Sequence, residues 1–362
     1  VVDAEICNAC MACIAPCPTG SIDNWRTMPA AKAYDLTSQF EWDSLPEKVS
    51  TEVLPEPEPV LDSTVYGAIV PPWSAAHPFT NLYGPKAPQK SIAAMVTGNV
   101  RVTEVGREYD THHIVLDFGA MPFPVLEGQS IGLIPPGTDE AGRPHHARQY
   151  SIASPRNGER PGYNNVSLTI KRVLSDHQGR PVRGVASNYM CDLKVGDPVQ
   201  VIGPFGVSFL MPNHPRSHIV MICTGTGSAP MRAMTEWRRR LRNSGKFEDG
   251  KLLLFFGART REELPYFGPL RNLPKDFIDI EFAFSRTPNE PKRYVQDAMR
   301  DRAADLAVLL ADPSAHFYVC GLKAMEQGVV LALRDVAQGH GLDWEVAAAS
   351  LKREGRLHLE TY

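Results

Sequence analysis

No run of apolar residues in this chain approaches the ~20 that a membrane-spanning helix requires. The longest candidates, such as LLLFF at 252–256, have the length of buried strands. No secretory leader is visible. Neither sign of charge dominates. The formal net charge is -3 over 362 residues, which gives no reason to expect nucleic acid or an anionic membrane as a partner. No internal repeat is apparent. Cysteine is scarce outside one cluster: four of the seven stand at Cys7, Cys10, Cys13 and Cys17, and Cys191, Cys223 and Cys320 are scattered. An odd, clustered count makes a poor disulfide framework. It suits reduced thiols and a metal centre, hence a cytoplasmic setting. What remains is ordinary globular material. Apolar residues make up 43% of the chain, and its length suits two or three domains.

The cluster CNACMACIAPCP at 7–18 separates its cysteines by two, two and three residues and ends in Pro18. This is the bacterial ferredoxin spacing for a 4Fe-4S cluster: one tight loop wraps three corners of the cubane, and the fourth cysteine points away. A zinc knuckle would place its cysteines in two separated pairs. In two-cluster ferredoxins the fourth cysteine of each motif serves the other cluster. Only one motif is present here. Either Cys17 closes the cluster locally, or a second motif precedes Val1. The start at Val1 rather than at Met is read as favouring the second option. The segment is then truncated, and is expected to be poorly ordered as it stands.

Residues 1–30 are read as this ferredoxin-like segment, and 31–88 as a Pro-rich, acidic linker containing LPEPEPVLD and VPPWSAAHPF. Such composition favours extended connection. Its aromatics Trp42, Tyr66, Trp73, Phe79 and Tyr83 predict an ordered wrap over the next domain rather than a solvated tether. From about 90, short alternating strands with Gly and Pro between them predict an antiparallel barrel over 89–215. From 216 to 362, strands such as HIVMIC, KLLLFFGA, IEFAFS and HFYVCG alternate with helical stretches, which predicts a parallel α/β sheet. RYVQDAMRDRAADLAVLL is read as one helix.

GTGSAP at 225–230 follows a strand and opens a helix. Its glycines let the backbone approach a pyrophosphate, whose charge a helix amino-terminus favours. It lacks the full GxGxxG of the dinucleotide fingerprint. In FAFSRTPNEPKRYVQ at 282–296, Arg and Lys stand with hydroxyl donors, a set suited to a dianionic phosphate. No acidic residue ends that strand to receive a ribose hydroxyl, so NADPH is favoured over NADH.

RQYS at 148–151, GTGSAP, CGLKAME at 320–326 and the terminal Tyr362, in that order, resemble the plant-type ferredoxin–NADP reductase family over about residues 90–362. The resemblance implies an antiparallel FAD-binding β-barrel followed by an NADP-binding parallel sheet. It implies an NADPH-dependent oxidoreductase in which Ser151, Cys320, Glu360 and Tyr362 stand at the reacting centre. Arg148, Tyr150, Ser151, Thr169, Lys171, Val185, Ala186 and Ser187 would hold FAD or a phosphate. Thr226, Gly227, Ser285, Arg286, Lys292, Tyr294 and Gly321 would hold the nicotinamide nucleotide. Family members place the Cys320 equivalent beside the nicotinamide, and at a helix start its thiol pKa would be lowered. The Glu360 equivalent bonds the serine and that cysteine, and the terminal ring covers the flavin. Where the family often carries a Tyr stacked on the adenine, this chain offers only His177 nearby.

A cluster segment, an acidic spacer and such a reductase together resemble the reductase components of benzoyl-CoA 2,3-epoxidase systems, a likeness supported by CMACIAPCPTGSIDNWRT at 10–27. That likeness implies FAD, NADPH, two 4Fe-4S clusters in a longer chain, and a separate di-iron oxygenase partner in aerobic benzoate breakdown. A general NADPH–ferredoxin oxidoreductase with a fused carrier, and a non-catalytic redox module, stay open as alternatives. So does a homodimer.

Overall fold

The computed structural model describes residues 78–362 apart from 107, 177, 213, 215 and 248, together with the isolated positions 37, 40 and 41. The predicted cluster ligands Cys7, Cys10, Cys13 and Cys17, and the spacer aromatics Trp42, Tyr66 and Trp73, lie outside the described residues.

The chain first builds a six-stranded antiparallel sheet from β1 (Ile92–Arg101), β2 (Thr111–Asp117), β3 (Ser130–Ile134), β4 (Arg148–Ser151), β5 (Asn165–Lys171) and β6 (Pro198–Phe205). Helix α1 (Val185–Asp192) lies between the last two. The order is β4-β3-β6-β1-β2-β5. In β1 the alternation is plain: Ile92, Ala94 and Val96 point inward, and Ala93, Met95 and Thr97 outward. An isolated bridge from Ile152 to Leu168 links the two edges, curling the sheet into a barrel. Ile114, Leu116, Ile131, Leu133, Ile152 and Leu168 are fully buried at its centre. Residues before β1 join this core. The Tyr83 ring is buried, its hydroxyl donates to the Pro122 carbonyl at 3.0 Å, and Phe79 offers its carbonyl to Gln129 Nε2 at 2.9 Å.

The second sheet is parallel, in the order β11-β10-β7-β8-β9. It runs through β7 (His218–Thr224), α2 (Ser228–Asn243), β8 (Leu252–Ala258), α3 (Phe267–Arg271), β9 (Asp279–Phe284), α4 (Val295–Asp301), α5 (Ala303–Ala311), β10 (Ala315–Gly321), α6 (Lys323–Gly339), α7 (Trp344–Arg353) and β11 (Leu357–Thr361). Strands β7, β8 and β10 are buried almost without interruption, as strands covered by helices on both faces must be.

Two regions differ from the sequence expectation. The single helix expected after β9 breaks at Arg302, which leaves helical geometry at φ -107° and ψ 30°. Its guanidinium is pinned by Asp279, Glu281 and Asp305 at 2.6, 2.9 and 2.7 Å. The last twenty residues add α7 and β11, which the sequence pattern does not anticipate. Asp343 caps α7 by accepting from the Glu345 and Val346 amides.

The two sheets meet along β5 and α2. The outer face of β5 is buried because Ser167 donates to Glu159 at 2.9 Å and the Thr169 hydroxyl bonds the Tyr266 hydroxyl at 2.6 Å. Arg232 of α2 grips the Glu159 carboxylate with both nitrogens at 2.6 and 2.7 Å, and Arg240 donates to the Gly158 and Glu159 carbonyls at 2.7 and 2.9 Å. Burial alone would raise the Glu159 carboxyl, but His113 and Arg232 outweigh it and hold the group well below its ordinary 4.5. A depressed carboxylate stabilises the fold above its unfolded value, and that contribution fades as pH falls through the folded one. Glu159→Gln and Arg232→Met are each expected to cost about 2 kcal/mol in urea unfolding at neutral pH. The double variant is expected to cost clearly less than their sum, and Glu159→Gln to flatten the loss of stability below pH 4.5. Strictly additive costs would show that the two groups do not act as a pair.

Candidate active site

The carboxyl ends of β7 and β10 lie side by side, and the loops leaving them form the floor of the site. A one-turn 3-10 segment, Gly225–Gly227, leads from β7 into α2. It packs so closely on β10 that a Cβ at Gly227 would sit 2.1 Å from the Cys320 carbonyl oxygen. Gly321, at φ 149°, leaves room for Thr224 in the same way: a Cβ there would come within 2.6 Å of Thr224 Oγ1.

Strand β11 extends this floor. It pairs in parallel with β10, setting Glu360 beside Cys320 and Thr361 beside Gly321. The Tyr362 amide donates to the Gly321 carbonyl at 3.0 Å, and the Lys323 amide donates back to the Tyr362 carbonyl at 3.2 Å. The terminal residue is thus held at both backbone groups. Its exposed ring reaches across the glycine turn, where its hydroxyl and that of Thr226 share a hydrogen bond of 2.8 Å.

Two expectations are corrected here. Cys320 is a buried strand residue rather than a helix-start residue, and burial pushes its thiol up instead of down. Glu360 makes no hydrogen bond to Ser151 or Cys320 among the described residues: its Oε2 is buried without a partner. Burial raises its carboxyl to about 6. Thr224 Oγ1 and Ser228 Oγ are likewise buried and unpartnered.

Above this floor a cavity of about 610 Å³ opens between the sheets. Ser285, Arg286, Lys292 and Tyr294 line one end, Thr226 and Tyr362 the other, and Lys171 reaches in from the barrel. Strand β9 delivers the first two: the Ser285 amide donates to the Ala258 carbonyl at 3.1 Å, and the Arg286 amide to the Arg259 carbonyl at 2.8 Å. Tyr294 caps α4, its amide donating to Asp297 at 2.9 Å. Two lining residues escape the sequence reading. Tyr109, from the loop between β1 and β2, has its ring centroid 3.3 Å from Lys171 Nζ. The Arg259 guanidinium carbon lies 4.4 Å from the same centroid.

The predicted flavin residues lie on the barrel side. Strand β4 is an edge strand. Arg148 on it is exposed, and its side chain makes no hydrogen bond or ion pair with any described residue. Tyr150 is half-buried, and burial pushes its phenol up to about 12. Ser151 is half-buried and pairs with Ser130. At the start of α1, Val185 is exposed while Ala186 and Ser187 are buried, and Gly184 provides no side-chain cap. The Ser187 hydroxyl is already engaged, accepting from the Val173 amide at 3.1 Å. The Thr169 hydroxyl is taken by Tyr266, so it faces the inter-sheet contact. His177 lies outside the described residues.

These donors fit FAD. An uncommitted guanidinium and uncapped helix amides suit its pyrophosphate. The orphaned polar atoms at Glu360, Thr224 and Ser228 suit a polar ring edge. Among the described residues no group of His, Cys, Asp and Glu side chains is arranged to hold a metal ion, and no helix is long and apolar enough to cross a membrane.

Comparison with known proteins agrees with this geometry. Residues 221–330 match the family described as oxidoreductase NAD-binding domain. The chain is 38% identical to the cyanelle ferredoxin–NADP reductase of Cyanophora paradoxa, over 73% of its own length and 74% of that protein. It is 36% identical to the ferredoxin–NADP reductase of a Spirulina species, over 78% of its length and 98% of the relative's. The ferredoxin-NADP+ reductase of Plasmodium falciparum superposes with a TM-score of 0.61 at 23% identity, covering 78% of this chain and all of that one. The chain belongs to the ferredoxin–NADP reductase family. It is an NADPH-dependent oxidoreductase.

The raised Glu360 carboxyl makes a pH-dependent contribution. Against an ordinary value of 4.5, a folded value of about 6 favours the protonated form. That contribution is complete below 4.5 and is lost as pH rises through about 6. Above this window the ionised group costs the fold about 2 kcal/mol. Glu360→Gln is therefore expected to gain stability relative to the parent between pH 4.5 and 6 and to hold that gain at higher pH. Urea midpoints across the window check it, and parallel curves would refute it.

Proposed function

We propose that this chain takes hydride from NADPH and passes the electrons singly to an iron–sulfur centre and then to a partner protein. Residues 89–215 are read as the FAD unit, 216–362 as the NADP unit, 31–88 as the linker and 1–30 as the 4Fe-4S segment. The observation that carries the reading is the seam at the cavity floor: Tyr362 bonded to Thr226, beside buried Cys320 and the unpartnered Glu360 carboxylate.

Bound FAD would supply the conversion of a two-electron hydride into single electrons. The remaining roles fall to the chain. Arg148 and the amides at Val185 and Ala186 would hold the pyrophosphate, and Tyr150 would pack on the ring system. Ser151 would offer a hydroxyl at the ring edge. Ser285, Arg286, Lys292 and Tyr294 would clasp the 2′-phosphate of NADPH. Glu360 holds a proton below about pH 6 at this seam. Tyr362 covers the site and must swing aside for the nicotinamide to enter.

For the acceptor, we favour a di-iron oxygenase of the benzoyl-CoA 2,3-epoxidase kind, because CNACMACIAPCP at 7–18 precedes the reductase. In that arrangement Cys7, Cys10 and Cys13 hold the centre that receives electrons. The relatives' names favour a second reading, a general NADPH–ferredoxin oxidoreductase with a fused carrier.

Anaerobic addition of NADPH to the purified yellow protein is expected to bleach the flavin absorbance, and added oxygenase to restore it. Restoration by many soluble acceptors, but not by the oxygenase, would favour the general reductase. A colourless protein that reduces no dye would refute both. Tyr362→Ser is expected to ease nicotinamide entry and to weaken the preference against NADH. An unchanged NADPH-to-NADH ratio of kcat/KM would count against the lid.

A further inference from the structure

Arg259 directly follows strand β8 at the cavity, and its carbonyl accepts from the Arg286 amide at 2.8 Å. The two arginines therefore stand just past the ends of neighbouring strands, both lining the cavity. The Arg259 guanidinium lies over one side of the Tyr109 ring, and the Lys171 ammonium contacts the same ring. An aromatic face attracts cations and restrains a planar guanidinium, so both charges are held in place before any ligand arrives.

A cation half-removed from water needs a counter-charge. Glu108, one residue before Tyr109, supplies it through an ion pair with Arg259. The two partners differ in setting: the Arg259 side chain is 24% exposed and that of Glu108 60%. Arg259, Lys171 and Arg286 all act on the Glu108 carboxyl, and its hydrogen bond with Arg259 holds it below its ordinary value. Glu263, which also lines the cavity, is a second carboxylate near this stack.

We propose that Arg259 is a fifth member of the 2′-phosphate clasp and that Glu108 is a placeholder anion, displaced when the phosphate arrives. The proposal rests on the reading that this cavity takes NADPH with its 2′-phosphate at Ser285 and Arg286. A phosphate dianion has three acceptor oxygens and more charge than one carboxylate, so it competes well for the same guanidinium. An exposed ion pair is cheap to break. The cofactor without a 2′-phosphate has nothing to exchange for Glu108 and leaves the pair closed. Glu108 thus tunes the choice between NADPH and NADH: it lowers affinity for the phosphorylated nucleotide and keeps Arg259 from attracting anions indiscriminately.

Calorimetric titration of the full chain with adenosine 2′,5′-bisphosphate, and with AMP as the ligand lacking a 2′-phosphate, tests this. Glu108→Gln, an exposed change that leaves the core untouched, is expected to tighten the bisphosphate about 3-fold and to leave AMP unchanged. Arg259→Met is expected to weaken the bisphosphate by about 10-fold or more, and Arg259→Lys to recover part of that loss. In the Arg259→Met background, Glu108→Gln is expected to add nothing. Equal tightening of both ligands by Glu108→Gln, or none, overturns the exchange. A parent protein that binds the bisphosphate no better than AMP would instead refute the NADPH reading on which the proposal stands.

Discussion

The register of the final strand governs the site. Five consecutive parallel pairs align β11 with β10 and fix Glu360 opposite Cys320. The two backbone bonds of Tyr362 then leave its side chain little choice but to cross the glycine turn toward Thr226. A slip of one residue would turn every side chain of the strand to the other face. The carboxylate would leave the seam, and His358, buried and bonded to the Ser208 carbonyl at 2.7 Å, would lose its place. The close approach of β10 to β7 and its following turn explains why Gly227 and Gly321 stand where they do. Each removes a side chain that would push β10 away from its neighbours. The site is therefore a product of backbone spacing first and side-chain chemistry second.

The second constraint is the grip of α2 on the barrel. Arg232 and Arg240 both reach the loop at 157–159, and β5 offers Ser167 and Thr169 to the same interface. This polar contact sets the angle between the sheets, and with it the width of the cavity that Lys171 and Tyr109 enter from one side and Arg286 from the other. Apolar packing tolerates sliding, whereas bidentate charge pairs with fixed directions do not. Hydride transfer demands that two bound groups meet within van der Waals distance, so an interface of this kind suits the chemistry.

Much of this is legible in the sequence because the informative segments are local. RQYS, GTGSAP and SRTPNEPKRY each lie within a few residues of a strand end, so reading them requires only the strand pattern. The features that escape such a reading depend on distant contacts. The ion pair between Glu108 and Arg259 spans 151 residues, and no spacing rule joins them. Thr169 looks like a cofactor residue by its strand position, yet Tyr266, 97 residues away, claims its hydroxyl. The thiol of Cys320 is misjudged when proximity to a following helix is weighed without the burial of the strand. The capping signal of Asp343 is present in DWE at 343–345, but a short helix and a five-residue strand carry little periodicity of their own.

The break at Arg302 bears on the solution behaviour of the protein. Strand β9 is an outer strand of the parallel sheet, with one row of backbone groups unpaired within it. Such a border invites another chain to add itself, unless charge makes the approach unfavourable. Here Asp279 and Glu281 stand along that border and Arg302 ties them down from beside it. The interruption of the helix thus sets one guanidinium against both acids of the outer strand and against Asp305, lining that border with charge of both signs, which disfavours an added strand.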